Sequence, residues 1–281
     1  MENPYEPIPM YIARTTVETD DQSLKSFELS FRMDADREQF FSGYRPGQFC
    51  QLSLFGKGEA SFGVASAAWE GNFVRFTVNK IGAFTHAIHA MNAGDSIGMR
   101  GALGTHYPIE EWEGANLVII GGGYAFTTLY ALVKHLLNPR IRPLYGDLTV
   151  IYGARDPSLF LYKPDIQTWY DRPDINFFQT IDVHQEGWPY LTGYVPAVTT
   201  ELAPSSKNSV AFVCGPPVMI KFTLPVLNQL GFPPERVFTS LEKRMKCGIG
   251  KCGRCNVGSK YICQDGPVFS FADLRGLPSD L

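Results

Sequence analysis

Four of the six cysteines lie within 17 residues of one another, in a spacing suited to a metal centre. They are Cys247, Cys252, Cys255 and Cys263, which gives the pattern C-x4-C-x2-C with a fourth cysteine after seven further residues. This spacing is typical of plant-type [2Fe–2S] sites, in which four thiolates bind two bridged iron atoms. We therefore predict that these four cysteines are metal ligands.

The residues between these cysteines favour a two-iron cluster over a zinc ion. Gly248, Gly250 and Gly253 let the backbone approach a cluster closely, with amide hydrogens directed at its sulfurs. A structural zinc site is the alternative, and it would make the segment an interaction module. Zinc sites usually pair two short hooks across a longer spacer, whereas the x4 and x2 spacings crowd three ligands together.

A run of three glycines forms a second candidate site. Gly121, Gly122 and Gly123 stand between a predicted strand, Leu117–Ile120, and a predicted helix, Ala125–Leu137. The amides at the start of a helix can hold a phosphate group. The dinucleotide fingerprint G-x-G-x-x-G is not met, so a tight turn without a ligand remains an equal alternative.

A second turn is expected at the same edge of the sheet. The strand that ends at Cys214 is followed by Gly215, Pro216 and Pro217 and then by a helix. Ligands of open parallel sheets bind at the carboxyl edge of the strands. The alternative is a rigid turn in which Cys214 is only a small buried side chain.

The elements that position these turns are of two kinds. The first hundred residues alternate apolar and polar side chains, as in Lys25–Met33, Gln48–Leu54 and Phe73–Asn79, with a short helical stretch at Thr85–Met91. Such strands, separated by glycine turns, predict a small closed antiparallel barrel over residues 1–107.

The rhythm changes after residue 107, where strands alternate with helical patterns. The further predicted elements are strands Leu148–Tyr152, Asn176–Ile181, Ser209–Cys214 and Arg236–Ser240 and helices near Lys163–Tyr170, Val195–Leu202 and Val218–Leu230. They predict a five-stranded parallel sheet with helices on both faces over residues 108–241. Residues 242–281 form the cysteine segment.

Composition excludes several other classes of protein. The 281 residues are 44% apolar and carry a net charge of −3, which argues against binding to nucleic acid or anionic membranes. The uncharged stretch Gly114–Val133 is long enough for a membrane span but breaks at its glycines, so no span is predicted. No secretory signal is visible and the cysteines are clustered, which together predict a cytoplasmic protein.

The order of these elements resembles the ferredoxin–NADP reductase superfamily, in its branch of iron–sulfur electron-transfer subunits. That branch includes the gamma subunits of sulfhydrogenases and the equivalent subunit of anaerobic sulfite reductase, with dihydroorotate dehydrogenase electron-transfer subunits more distant. The resemblance covers nearly the whole chain, and its most specific part runs from Ser240 to Phe269. Further matching segments are Arg45–Phe49, Gly94–Asp95, Arg100–Gly104, Tyr152–Arg155 and Cys214–Pro217.

The resemblance implies that the barrel binds FAD. The implied contact residues are Phe62, Gly63, Val64, Asn79, Lys80, Gly82, Phe84 and Thr85. The family's Arg-Pro-x-Ser flavin motif is replaced by Ala60–Gly63, so the arginine and the hydroxyl of that motif are absent. The amides of Phe62 and Val64 are expected to hold the flavin ring, and Thr85 is expected to open a short helix facing the pyrophosphate.

The resemblance also implies that the parallel sheet binds NAD(P)H at its two turns. The implied residues are Gly121, Gly122, Gly123, Thr127, Arg155, Cys214, Gly215 and Pro216. Ala125 stands where relatives have a glycine, Phe126 is expected to add bulk there, and Thr127 and Thr128 are expected to supply hydroxyls. Arg155 suits a 2′-phosphate and Asp156 argues against one, so the sequence leaves NAD and NADP open.

The function implied is electron transfer. Nicotinamide gives two electrons as a hydride and a cluster takes one, so a flavin must lie between them. No acid–base pair is needed, so no catalytic residue is predicted, and the histidines are expected to be structural: His86, His89, His106, His135 and His184.

The implied partners are other subunits of a hydrogenase, heterodisulfide-reductase-like or sulfite-reductase-like complex. The chain would move electrons between NAD(P)H, FAD, a [2Fe–2S] cluster and those subunits. The alternative is a relay or docking subunit that keeps the fold and the cluster but has lost nicotinamide binding, as the substitutions at Ala60, Gly63 and Ala125 suggest.

Overall fold

The computed structural model describes residues 3–277. Its strands are β1 (Ile8–Val17), β2 (Leu24–Phe31), β3 (Phe49–Leu54), β4 (Gly58–Gly63), β5 (Val74–Asn79), β6 (Ser96–Leu103), β7 (Asn116–Gly122), β8 (Leu148–Ala154), β9 (Asn176–Ile181), β10 (Leu191–Thr192), β11 (Ser209–Cys214), β12 (Val237–Ser240), β13 (Asn256–Val257), β14 (Lys260–Tyr261) and β15 (Val268–Ser270). Its α-helices are α1 (Asp34–Gly43), α2 (Ala83–His89), α3 (Phe126–Leu136), α4 (Lys163–Trp169), α5 (Val195–Leu202), α6 (Pro217–Gln229) and α7 (Ile262–Asp265).

The chain divides into two compact units. The first contains the described residues up to Tyr107, together with Tyr130–His135 and Leu241–Val268. The second contains Pro108–Leu129, Leu136–Ser240 and the described residues from Phe269 onward. In this division most of the cysteine segment therefore groups with the N-terminal sheet.

The first unit is built on a six-stranded antiparallel sheet in the order β4-β3-β6-β1-β2-β5. The prediction of a closed barrel was wrong, because the edge strands β4 and β5 are not hydrogen-bonded neighbours in this sheet. The chain after β4 bridges the gap instead: the Val64 amide donates to the Gln48 carbonyl, and the Ala65 amide donates to the Arg75 carbonyl.

Successive side chains of each strand point to opposite faces of this sheet, and one face carries the apolar core. Phe27 and Leu29 on β2, together with Cys50 and Leu52 on β3, are fully buried in one apolar cluster. Gln51 lies between two of these core residues and must point to the opposite face of the sheet, because successive side chains of a strand alternate.

The middle of α3 belongs to the first unit through polar contacts. Arg75 donates from Nη1 to the Tyr130 hydroxyl at 3.0 Å, and Trp69 donates from Nε1 to the Lys134 carbonyl at 2.9 Å. The ammonium group of Lys134 also lies 3.4 Å from the Glu70 carboxylate. These contacts explain why Tyr130–His135 group with the antiparallel sheet.

The second unit contains a seven-stranded sheet in the order β10-β9-β8-β7-β11-β12-β15. Its five central strands are parallel, as predicted. The prediction of five strands in total was wrong, because β10 and β15 add short edges of only two and three residues. Strands this short carry too little alternation to be detected in a sequence.

The central strands are apolar throughout, because helices cover both faces of such sheets. All six residues of β11 are buried. The uncharged stretch at 114–133 is divided between β7 and α3. Among residues 3–277, none of the helices combines the length and the apolar character needed to cross a bilayer.

Candidate functional site

The four clustered cysteines lie in one loop segment of the first unit. Cys247, Cys255 and Cys263 are buried, whereas Cys252 is exposed. Backbone amides point at two of the sulfurs: Gly250 donates to Cys263 Sγ at 3.1 Å, and Lys251 and Cys252 donate to Cys247 Sγ at 3.3 Å each. The segment therefore presents the amide donors that a negatively charged thiolate cluster requires.

The amides change the acidity of these thiols. Burial raises the pKa of Cys247, but the amides of Ile249, Cys252 and Lys251 outweigh it and lower that pKa to about 6. Burial and the hydrogen bond to Cys255 raise the pKa of Cys263 to about 12. The amide hydrogen bonds thus favour the thiolate form of Cys247, whereas burial favours the protonated form of Cys263.

Hydrogen bonds between side chains join the four cysteines in two pairs. A side-chain hydrogen bond joins Cys247 to Cys252 and another joins Cys263 to Cys255, and Cys263 also interacts electrostatically with Cys247. Within residues 3–277 no group of three or more cysteine, histidine or acidic side chains is arranged around a single metal position. Two iron atoms bridged by sulfide and bound by four thiolates match this number of cysteines.

Glycine is required at two positions of this loop. Gly248 and Gly250 have φ values of +72° and +73°, a region that other residues rarely adopt. A Cβ atom at Gly248 would lie 2.9 Å from Leu103 Cδ1, and one at Gly250 would collide with the Gln264 side chain. Both glycines are therefore needed for the close packing of this loop against neighbouring side chains, and their approach to a cluster stays a prediction.

Hydrogen bonds hold the segment to the antiparallel sheet. Arg100 on β6 donates from Nη2 to the Cys247 carbonyl at 3.2 Å, and the same guanidinium pairs with Glu59 at 2.7 Å. At the other end, the Thr105 amide donates to the Gly266 carbonyl at 2.6 Å, and the Thr105 hydroxyl donates to the Val268 carbonyl at 2.9 Å.

The residues predicted to contact a flavin ring lie at the end of β4. Phe62 is buried and stacks on the half-buried Phe84, with ring centroids 6.3 Å apart. Gly63 ends β4 and pairs with Phe49. The proposed role of the Val64 amide needs correction, because that amide already donates to the Gln48 carbonyl at 3.1 Å.

The predicted pyrophosphate segment is more constrained than expected. The Thr85 hydroxyl accepts from the amides of Ile81 and Gly82 at 3.0 and 2.9 Å, so it caps its own helix. The helix that it begins, α2, is only seven residues long. Lys80 is exposed beside this turn, and the Asn79 carbonyl also accepts from the Ile81 amide.

Only one of the three glycines at the end of β7 faces open space. A Cβ atom at Gly121 would collide with Phe126, and one at Gly122 would collide with Met219. Gly123 has a φ of +54° and nothing within 4 Å of a built Cβ. The first two glycines therefore serve internal packing, and Gly123 alone offers room for a ligand.

Phe126 places its bulk on the buried side of this turn, against Gly121, and not at the open position beside Gly123. Its ring is fully buried and stacks on Tyr152 at a centroid distance of 3.8 Å. Thr127 is also buried, with 6% of its surface exposed. Thr128, which was also expected to supply a hydroxyl to a ligand, is half-buried and directs that hydroxyl at Cys214 Sγ, 3.9 Å away.

The second turn contacts the first through a methionine. A Cβ atom at Gly215 would collide with the Met219 thioether, which also lies against Gly122. Pro216 immediately precedes α6. Met219 was not predicted as a site residue, since its place between two turns depends on the pairing of β7 with β11.

The acidic and basic residues after β8 have different surroundings. Asp156 accepts from the Ser158 amide at 2.9 Å and from the Ser158 hydroxyl, so its carboxylate caps a local turn. Arg155 is exposed. Burial raises the pKa of Asp182, and the nearby Arg155 counteracts this effect.

Three of the five histidines bind backbone carbonyls of neighbouring residues. His86 contacts Gly82 at 2.9 Å, and His106 contacts Tyr107 at 3.1 Å. His89 contacts the Val78 carbonyl at 2.8 Å, and burial lowers the pKa of its ring. These contacts are structural in character.

Two domain families match the regions described above. The oxidoreductase NAD-binding domain matches residues 119–224. The iron–sulfur cluster binding domain of dihydroorotate dehydrogenase B matches residues 242–275, which include all four cysteines. The first match covers both turns of the parallel sheet.

Two curated relatives extend this similarity over most of the chain. Sulfhydrogenase 1 subunit gamma of Pyrococcus furiosus is 35% identical, over 84% of this chain and 82% of the relative. A probable dihydroorotate dehydrogenase B electron transfer subunit of Thermococcus kodakarensis is 33% identical, over 83% and 88% of the two chains. The chain belongs to this family of electron-transfer subunits.

Solved structures share its fold. A chain of the NADH-dependent reduced ferredoxin–NADP oxidoreductase superposes with a TM-score of 0.76 at 23% identity, covering 96% of this chain and 90% of that one. A ferredoxin–NADP⁺ reductase from Neisseria gonorrhoeae superposes with a TM-score of 0.66 at 19% identity, covering 82% and 96%. This electron-transfer subunit therefore has the ferredoxin–NADP reductase fold, with an NAD-binding domain and an iron–sulfur domain.

Proposed function

We propose that this subunit passes electrons between NAD(P)H, FAD, a [2Fe–2S] cluster and a partner subunit. When bound, the flavin would accept a hydride and release its electrons singly to the cluster. The observation that carries the proposal is the cluster of four cysteines. Backbone amides donate to the sulfurs of Cys247 and Cys263, and Cys252 is exposed. Iron, sulfide and flavin analysis of the anaerobically purified protein, together with its visible spectrum, tests it.

For the cluster, we propose Cys247 and Cys252 as ligands of one iron atom and Cys255 and Cys263 as ligands of the other. The side-chain contacts within each pair support this division. The amides of Gly250, Lys251 and Cys252 would remain directed at sulfur. They would stabilise the negative charge of the cluster.

For the flavin, we propose a site along β4 and the turn before α2. Phe84 would provide a half-buried aromatic surface, and Lys80 an exposed cation for the pyrophosphate. Because Thr85 already caps its own helix, its part would be to hold this turn in shape. The reductase from Neisseria gonorrhoeae, which has bound FAD and NADP, supports the choice of cofactor.

For the nicotinamide cofactor, we propose the carboxyl edge of the parallel sheet. Gly123 would admit the pyrophosphate, since nothing lies within 4 Å of a Cβ built there. Cys214 would lie near the reacting ring, held by contacts with Thr128 and the Ser240 carbonyl. The match of residues 119–224 to an NAD-binding domain supports this location.

For the partner, we propose a redox subunit that docks over the cysteine segment. Residues 242–265 carry six lysines and arginines against two acidic residues, in a chain whose net charge is −3. Most of these cations are exposed, as is Cys252. The sulfhydrogenase and dihydroorotate dehydrogenase relatives are themselves named as subunits.

We also propose that the subunit works in the cytoplasm. None of its six cysteines, all of which lie within residues 3–277, forms a disulfide bond. Thiols persist where glutathione and thioredoxin keep them reduced, as they do in the cytosol. Fractionation of the native cells with an antibody to the chain would test this.

A second candidate function is a relay without nicotinamide. Met219 lies against both Gly122 and Gly215, which would keep a phosphate group away from the backbone of these two glycines. A relay would show cluster absorption that neither NADH nor NADPH bleaches under anaerobic conditions. The main proposal requires bleaching by one of them.

A further inference from the structure

Three buried polar atoms under the cysteine segment have no hydrogen-bond partner. They are Nε2 and Oε1 of Gln51 and the hydroxyl of Ser61. Gln51 is 0% exposed. A buried polar group without a partner is destabilising, so a partner that satisfies all three atoms would stabilise this region.

The register of the sheet sets these atoms beside the first cysteine. Gln51 on β3 pairs with Ser61 on β4 and with Arg100 on β6. Arg100 donates to the Cys247 carbonyl. A Cβ atom at Gly248, the next residue, would lie 3.1 Å from Gln51 Nε2. The amide of Gln51 is therefore in contact with the backbone of the cluster loop.

We propose that Gln51 contacts the iron–sulfur cluster: it donates from Nε2 to a cluster sulfur and accepts at Oε1 from the Ser61 hydroxyl, and Ser61 is its positioning residue. The proposal rests on the function proposed above, since it needs the cluster. Opposite residues in an antiparallel pair have Cβ atoms about 4.5–5.5 Å apart, within reach of a serine–glutamine hydrogen bond after a small rotation of either side chain. This arrangement satisfies all three atoms at once.

A hydrogen bond of this kind has a redox consequence. Reduction adds one electron to the cluster without making or breaking a bond, and it increases the negative charge on the sulfurs. An N–H donor to sulfur stabilises the reduced form more than the oxidised form and so raises the reduction potential. Ser61 would act through Gln51 by orienting its amide.

The test compares Gln51→Leu, Ser61→Ala and the double variant in the full-length, anaerobically purified protein. We expect each to retain iron and sulfide at parental levels and to lower the midpoint potential in an EPR-monitored titration. For Gln51→Leu, the equilibrium constant for cluster reduction should fall about tenfold, which is about 59 mV for one electron. The Ser61→Ala shift should be smaller, and the double variant should match Gln51→Leu.

The controls separate this inference from a general loss of buried polarity. Thr223 on α6 is also fully buried with an unpartnered hydroxyl, so Thr223→Val should leave the potential unchanged. Equal potentials in the parent and Gln51→Leu would overturn the proposal, and additive shifts in the double variant would overturn the link to Ser61. If Gln51→Leu loses its cluster, the midpoint potential of Ser61→Ala decides instead. A potential below that of the parent supports the proposal, and an equal potential overturns it. A parent without any cluster would overturn the proposed function itself.

Discussion

Arg100 and Cys247 are joined by a hydrogen bond of 3.2 Å from the guanidinium Nη2 to the cysteine carbonyl. The same guanidinium is 4% exposed and forms an ion pair with Glu59. The backbone at the first cysteine is thereby tied to β6, far away in sequence. The position of the cluster loop depends on this contact as well as on the loop's own glycines.

Replacing Arg100 by Met should loosen the loop and destabilise the protein. A hydrogen bond to a charged group contributes about 1.5–3 kcal/mol, so we expect the free energy of unfolding to fall by about 2 kcal/mol, as measured by urea denaturation. Iron retention during gel filtration should also fall. Adding Glu59→Gln should restore part of the stability, but not the iron, because the Cys247 carbonyl still lacks its donor. Parental iron retention in Arg100→Met would contradict this account.

Much of the parallel sheet was predictable because its elements are long and uniform. The predicted ranges Asn176–Ile181, Val195–Leu202 and Ser209–Cys214 agree with β9, α5 and β11 to the residue. Each is an apolar segment bounded by turn residues. In contrast, α1 was not predicted, since its residues lack a helical apolar repeat and Phe40 alone is buried.

The cysteine site was predictable because the spacing of its cysteines is a local sequence pattern. The residues that hold the cysteine segment in place are distant in sequence and were not predictable. The spacing of the cysteines is visible in 17 residues. Arg100 and Gln51 reach the loop only through the pairing of β3 with β6, and Met219 reaches Gly122 only through the pairing of β7 with β11. No local sequence pattern indicates such contacts.

Gly123→Val should block the nicotinamide cofactor without affecting the cluster. A side chain there would occupy the one open position of the glycine turn. We expect the KM for NADH or NADPH to rise at least tenfold in steady-state assays, while dithionite still reduces the protein. Gly114→Val is the matched control, because Gly114 also has a positive φ and open space but precedes β7 at the opposite edge. Equal effects of the two substitutions would indicate backbone strain alone.

Arg155→Ala should discriminate between the two nicotinamide cofactors. Arg155 is exposed, whereas the neighbouring carboxylate of Asp156 is held by Ser158. Loss of one charge-assisted hydrogen bond should raise the KM for NADPH about tenfold and leave the KM for NADH nearly unchanged. Arg140→Ala, at an exposed loop on the amino edge of the sheet, serves as the control. An equal change for both cofactors would exclude contact with a 2′-phosphate.

Reversing charge beside Cys252 should change the rate at which the cluster exchanges electrons. Lys251 and Arg254 are exposed on either side of it, and their field attracts anions and is screened by salt. With Lys251→Glu and Arg254→Glu combined, stopped-flow oxidation of the reduced cluster by ferricyanide should slow, and oxidation by hexaammineruthenium(III) should accelerate. Both differences should shrink at high ionic strength. The same charge reversals at Lys207 and Lys221, which are exposed in the second unit, should have little effect.

The most direct test of electron transfer follows the protein during anaerobic addition of NADH or NADPH. We expect one of them to bleach the flavin absorption near 450 nm and then to produce the EPR signal of a reduced [2Fe–2S] cluster. Cys252→Ser should still show the bleaching but lose the cluster signal, because one of the four thiolates is missing. Cys50→Ala, in the core of the antiparallel sheet, should behave like the parent. A parent that contains iron and flavin but responds to neither nucleotide would contradict the account.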